Sequence, residues 1–193
     1  MSAPRPPAGL VPVTLVLGGA RSGKSRHAEA LVERQPGPCV YIATAEALDD
    51  EMAARIARHR ARRGARWITV EAPLDLAGAL ATAAGADRAV LVDCLTLWLS
   101  NLIMAGRDVA AETGRLIAVL PGLAGPVVLV ANEVGLGVVP DNALARGFID
   151  HAGRLNQAVA AEAQSVVFMT AGLPRQVKGP DRADSPIRKV QSR

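Results

Sequence analysis

Six short aliphatic runs punctuate the chain, at Thr14–Leu17, Val40–Ala43, Trp67–Val70, Ala89–Val92, Val127–Ala131 and Val166–Thr170. They are continuous rather than alternating. A strand with one wet face alternates, because successive side chains point to opposite sides of the sheet. Continuous runs therefore specify strands covered on both faces, as in a parallel sheet between helices. Segments with helical spacing lie between several of the runs: Ser25–Glu33, Ala47–Arg63, Ala110–Leu120 and Ala143–Ala163. The chain reads as α/β, with a mostly parallel sheet flanked by helices.

A length of 193 residues suits one domain. Aromatic residues make up 3% against 50% hydrophobic, so aliphatic side chains and Ala must fill the core. Residues 1–12 and 179–193 are rich in Pro, Gly and charge and are expected to be flexible, leaving 13–178 as a single domain. The opening MSAPRPPAGLVPV is too Pro-rich for a signal-peptide core, and no run of 18 apolar residues occurs, so a cytoplasmic protein without stable membrane insertion is expected. Cys39 and Cys94 stand singly inside apolar runs, which predicts buried thiols in a reducing compartment rather than a zinc site.

The formal net charge of +4 invites a nucleic-acid reading. Residues 1–173, however, hold 16 basic and 16 acidic side chains, so the whole excess belongs to residues 174–193. A RecA-like nucleic-acid ATPase would also need aromatic stacking platforms, which this composition lacks. Internally, Arg55, Arg58, Arg60, Arg62, Arg63 and Arg66 crowd into twelve positions.

The residues that follow the strands are polar or glycine: Gly18-Gly19, Thr44, Glu71, Asp93 and Asn132-Glu133. Ligands of open parallel sheets bind beyond these carboxyl ends. The first of them begins Gly18-Gly19-Ala20-Arg21-Ser22-Gly23-Lys24-Ser25, which fits G-x-x-x-x-G-K-[ST] between a strand and a helix. Glycines let successive backbone N–H groups point inward at phosphates, and the helix N-terminus adds positive potential. The motif predicts a bound nucleoside triphosphate, with Lys24 on its β- and γ-phosphates and Ser25 on Mg²⁺. Asp93, ending Val90-Leu91-Val92, is the matching carboxylate for that metal. Such a loop alone fits a monofunctional small-molecule kinase.

A helix over Ala47–Arg63 places His59 on one face with Leu48, Met52, Ile56, Arg55 and Arg62. One reading is a surface helix whose basic end complements its dipole. The other is a nucleophile: a neutral imidazole can attack phosphorus to form a phosphoramidate, and the arginines would stabilise the charge that develops. His27 and His151 suit packing or loop contacts.

The motifs fall in one order: Gly18 through Glu29, then Tyr41-Ile42-Ala43-Thr44-Ala45, Asp49-Asp50-Glu51-Met52 leading to Arg55-Ile56-x-x-His59, Asn132 through Pro140, and Ala152-Gly153-Arg154-Leu155-Asn156-Gln157. Over about residues 13–178 this resembles the bifunctional adenosylcobinamide kinase / adenosylcobinamide-phosphate guanylyltransferase family. The resemblance implies a P-loop NTPase with a RecA-like sheet, assembled as a homotrimer. It implies phosphorylation of adenosylcobinamide by ATP or GTP, then transfer of GMP from GTP to adenosylcobinamide-phosphate through a guanylylated His59. It places nucleotide contacts at Gly18–Ser25, at Ala43, Thr44 and Ala45, at Arg60, Ala61, Arg62 and Arg63, and at Glu71 and Asp93. Surfaces around Asn132-Glu133 and Leu97–Met104 are candidates for the corrinoid acceptor.

Overall fold

The computed structural model describes residues 10–46 and 63–179. In chain order these form β1 (Val13–Gly18), α1 (Lys24–Glu33), β2 (Cys39–Ala43), β3 (Trp67–Glu71), α2 (Leu76–Ala83) and β4 (Ala89–Asp93). There follow α3 (Leu95–Met104), α4 (Val109–Val119) with a 3-10 turn at Leu120–Gly122, β5 (Val127–Asn132), α5 (Ala143–Glu162), β6 (Ser165–Thr170) and β7 (Leu173–Lys178). Among the described residues the strands make one sheet in the order β3-β2-β4-β5-β1-β6-β7. Every neighbouring pair is parallel except β6 and β7.

The two faces are covered unequally. Leu15, Ile42, Val92, Leu129 and Ala131 pack with Leu76, Leu80, Trp98, Leu99, Leu102, Leu116, Leu155 and Val159, so α2 to α5 cover one side. On the other, Val16, Tyr41, Leu91, Val128, Val130 and Met169 pack with Ala28, Leu31 and Val32 of α1. All these side chains are at most 6% exposed. A core so rich in Leu and Val is close-packed without aromatics, because interlocking aliphatic shapes fill the space between layers. The exceptions are Tyr41, 6% exposed on the α1 side, and Trp98, which is 1% exposed and whose Nε1–H donates to the Leu74 carbonyl at 2.8 Å.

The helix starts explain themselves locally. Asp75, Asp108 and Asn142 cap α2, α4 and α5 by accepting from backbone N–H groups of their first turns. Helix α1 has no side-chain cap; its N-cap is Gly23, at φ 93°. Its first N–H groups are thus left to the loop and to whatever the loop holds.

Two strands differ from the sequence expectation. The run Trp67–Val70 is expected to be covered on both faces, yet β3 is an edge strand with Ile68 51% exposed. Strand β7 has no apolar run and carries Arg175 and Lys178. It forms because Ala171 (φ 50°) and Gly172 (φ 82°) turn the chain back on β6, and an edge strand needs backbone pairing more than a buried face. Lys178 then donates from Nζ to the Ala160 and Ala161 carbonyls at the end of α5. At the other end, Leu10 packs on the α1-side core and Val127 N–H donates to the Pro12 carbonyl at 2.8 Å, so contact with the body begins inside the Pro-rich segment.

Candidate active site

The phosphate loop joins β1 to α1 and is buttressed from β6, from the end of β5 and from the β6–β7 turn. Gly18 has φ 152°, and a Cβ there would lie 2.6 Å from the Met169 carbonyl oxygen and 2.8 Å from Ser22 Oγ. Only glycine lets β1 enter the loop that close to β6. Glu133, just past β5, donates its N–H to the Gly18 carbonyl at 3.0 Å. Gly172, in the β6–β7 turn, donates to the Ser22 carbonyl at 3.0 Å. Arg21 is exposed and sits at φ 56°, at the crest of the loop. Lys24 is 7% exposed, and its Nζ donates to the Gly19 carbonyl at 2.6 Å, so the ammonium lies folded against the loop. Its charge also acts on Cys94, next to Asp93.

Strand register aligns a second group. Ala43 is opposite Glu71 on β3 and opposite Asp93 on β4, so these three predicted residues form one row across neighbouring strands. Behind Ala43, Thr44 is completely buried: its Oγ1 donates to the Cys94 carbonyl and accepts from the Cys94 N–H, both at 2.8 Å. The Thr44 carbonyl accepts from Asn101 Nδ2 at 2.7 Å, and the same amide donates to the Pro73 carbonyl. Thr44 thus locks the ends of β2 and β4 together. Ala45 follows it half-buried.

Tyr41 is a site residue that the sequence reading did not single out. It is the only Tyr in the chain, set in an otherwise aliphatic strand, and that was the available signal. Its hydroxyl donates to Asp93 Oδ2 at 3.2 Å. The Arg63 guanidinium lies over its ring, with Cζ 3.5 Å from the centroid. Arg63 Nε and Nη1 are buried with no hydrogen-bond partner among the described residues. Burial, followed by the Asp93 charge, pushes the Tyr41 hydroxyl far above its ordinary range, and Arg63 offsets this in part. Tyr41 is therefore a fixed donor at neutral pH.

Other predicted residues are placed differently. Arg66, counted in the arginine cluster, wraps the end of α1: its guanidinium donates to the Glu33, Gln35 and Gly37 carbonyls. It satisfies carbonyls that the helix terminus leaves open. His59, Arg60, Ala61 and Arg62 lie outside the described residues, as does the helix expected at Ala47–Arg63 up to position 62. In α3, Trp98, Leu99 and Leu102 are buried in the core and so leave the candidate acceptor surface, while Met104 is exposed. Among the described residues no helix is long and apolar enough to cross a membrane, and no group of three or more His, Cys, Asp or Glu side chains forms a metal cage.

A nucleotide loop on a parallel sheet, faced by a tethered carboxylate two strands away, defines a P-loop NTPase site. Comparison with solved structures agrees on the fold: RadB recombinase superposes with a TM-score of 0.50 at 18% identity, over 83% of this chain and 74% of that one. A Pyrococcus horikoshii OT3 protein gives 0.52 at 9% identity, over 88% and 87%. Residues 14–177 match the family model described as cobinamide kinase / cobinamide phosphate guanyltransferase. The bifunctional adenosylcobalamin biosynthesis protein CobP of Pseudomonas aeruginosa is 52% identical over 86% of this chain and 96% of its own length. The corresponding CobU proteins of Salmonella typhimurium and Escherichia coli are 44% and 43% identical over 85% of this chain and 98% of theirs. The chain belongs to the cobinamide kinase / cobinamide phosphate guanyltransferase family, whose members unite a kinase and a guanylyltransferase in one polypeptide. A monofunctional kinase and a nucleic-acid ATPase are set aside on that ground, since the likeness to the recombinase extends to the fold alone.

Proposed function

We propose that this enzyme phosphorylates adenosylcobinamide with ATP or GTP at the loop Gly18–Ser25, then transfers GMP from GTP to adenosylcobinamide-phosphate through His59. The observation that supports the reading is the loop itself, with the Lys24 ammonium folded onto the Gly19 carbonyl between β1 and α1, while Asp93 ends β4 held by Tyr41. Lys24, freed from the Gly19 carbonyl by a nucleotide, neutralises the β- and γ-phosphates. Ser25 and Asp93 are the residues that would hold Mg²⁺. A hydroxyl and a carboxylate suit a hard cation that takes its remaining ligands from phosphates and water. Tyr41 engages one carboxylate oxygen of Asp93 and leaves the other available. When bound, the ion neutralises phosphate charge.

In the guanylyl step the imidazole of His59 attacks the α-phosphorus and the bond to the bridging oxygen breaks, releasing pyrophosphate. An oxygen of the acceptor phosphate then displaces His59 and yields adenosylcobinamide-GDP. Arg63, with buried guanidinium nitrogens over the ring of Tyr41, is suited to the phosphate charge, in company with Arg60 and Arg62. The assembly is a homotrimer in the cytoplasm, and light scattering should return three times the 20.0 kDa chain mass.

GTP carrying a radiolabelled α-phosphorus tests the mechanism. Wild-type enzyme should retain a label that is acid-labile and base-stable, and His59→Ala should retain none. Active wild-type enzyme that stays unlabelled would show that guanylyl transfer is direct.

A further inference from the structure

The two reactions make different demands on a proton. The kinase step uses an alcohol, whose hydroxyl stays protonated at neutral pH and must lose its proton as the new O–P bond forms. The guanylyl step uses a phosphate, whose second pKa near 6 leaves the attacking oxygen already ionised. A proton acceptor is therefore required by one activity and not by the other.

Among the described residues, Glu46, Glu71, Asp93 and Glu133 lie within three positions of the carboxyl ends of parallel strands. The phosphate loop follows β1. In the order β3-β2-β4-β5-β1, the strand before Glu133 is the neighbour of β1, whereas those before Asp93, Glu46 and Glu71 lie two, three and four strands away. At a strand spacing of about 4.8 Å those three are about 10, 14 and 19 Å from β1 along the sheet. Asp93 is besides tied to Tyr41 and assigned to the metal. Glu133 is tethered to the loop itself through its N–H on the Gly18 carbonyl at 3.0 Å. Its Oε1 accepts from the Gly135 N–H at 2.7 Å, which orients the carboxylate and leaves Oε2 as the basic oxygen. The strand end beneath is anchored: Asn132 N–H donates to Thr96 Oγ1 at 2.7 Å, and the Asn132 carbonyl accepts from Asn156 Nδ2 at 3.3 Å.

The geometry points to Glu133 as the proton acceptor of the kinase step, dispensable for guanylyl transfer. The inference rests on the loop Gly18–Ser25 holding the nucleotide. In the step, the acceptor hydroxyl oxygen bonds to the γ-phosphorus and the bond from that phosphorus to the β–γ bridging oxygen breaks. The nucleoside diphosphate departs with the electron pair. The hydroxyl proton passes to Glu133 Oε2 and then to solvent.

The test is Glu133→Gln in the full-length enzyme, whose amide oxygen still accepts from Gly135. Two assays are run: phosphorylation of adenosylcobinamide, and guanylyl transfer from GTP to pre-made adenosylcobinamide-phosphate. The kinase kcat should fall by about 100-fold or more while the guanylyl rate stays within about threefold. A smaller kinase loss, or a guanylyl loss beyond that margin, overturns the assignment. Glu133→Asp restores a carboxylate and should regain part of the kinase rate; an Asp variant no faster than the Gln variant also overturns it. Lys24→Ala separates this from the underlying reading. If Lys24→Ala keeps full GTP affinity and both activities, the nucleotide loop is misassigned. If it loses them and Glu133→Gln loses nothing, the loop stands and the role of Glu133 falls.

Discussion

The Tyr41 hydroxyl donates to Asp93 Oδ2 at 3.2 Å, from one strand to the next. The register sets Tyr41 opposite Leu91, so the phenol reaches two positions along β4 to the strand end. The ring is held by Arg63 above and by Trp67 edge-on, with centroids 6.2 Å apart. Tyr41→Phe keeps both ring contacts and removes the single tether. Hydrogen bonds to charged groups contribute about 1.5–3 kcal/mol, part of which water would replace here. The affinity of the GTP complex for Mn²⁺, followed by electron paramagnetic resonance, should fall about 3- to 10-fold. An unchanged affinity would mean that Asp93 is positioned without Tyr41.

Thr44 offers a stability test at the same sheet edge. Its hydroxyl makes two hydrogen bonds to the backbone of Cys94 and no water reaches it. Thr44→Val preserves shape but orphans a buried N–H and a buried carbonyl. The expected cost is about 1–3 kcal/mol per unsatisfied group. Urea unfolding should show a lower midpoint at an unchanged slope. A stability loss below about 0.5 kcal/mol would mean that the strand ends rearrange to recover both partners.

How far the sequence could be read follows from the range of each interaction. In the central strands β4 and β5 the runs Ala89–Val92 and Val127–Ala131 were legible because cover on both faces forces their residues to be apolar. The same rule misjudged β3, whose edge position is a property of strand order. It missed β7, which a turn and backbone pairing create without an apolar run. The phosphate loop was legible because its chemistry is held within eight consecutive residues. The Tyr41–Asp93 tether was not, since only the sheet order puts β2 beside β4. Arg66 looked like part of an anion site and is a helix cap, a distinction that depends on where α1 ends.

The adjacent glycines of the loop should respond differently to alanine. At Gly18 the new Cβ would meet the Met169 carbonyl at 2.6 Å, at a φ of +152°. At Gly19 nothing lies within 4 Å of the Cβ position, and φ is not in the positive range. Gly18→Ala should destabilise by about 1–3 kcal/mol through strain against β6. Gly19→Ala should lie within about 0.5 kcal/mol of wild type. Thermal unfolding of the two variants side by side gives the comparison. Equal melting temperatures would refute the close approach of β1 to β6.

The two cysteines make a pH-dependent prediction. Burial pushes Cys94 up to about 11, with the Asp93 charge adding to it, while Lys24 and backbone N–H groups pull the other way. Burial also raises Cys39, against the pull of Arg66. At pH 8 the Cys94 thiolate is about one part in a thousand, so Ellman's reagent should find neither thiol reactive in folded protein and both reactive in guanidinium. The folded state also keeps a proton that the unfolded chain releases above its ordinary thiol range, near 9. The contribution of Cys94 to stability is therefore intact below about pH 9 and declines as pH rises toward 11. Cys94→Ala removes that titration, so the stability gap between wild type and variant should shift in the variant's favour by about 1 kcal/mol from pH 8 to pH 10. A gap constant across that interval would place the thiol in water rather than beneath the α1 face.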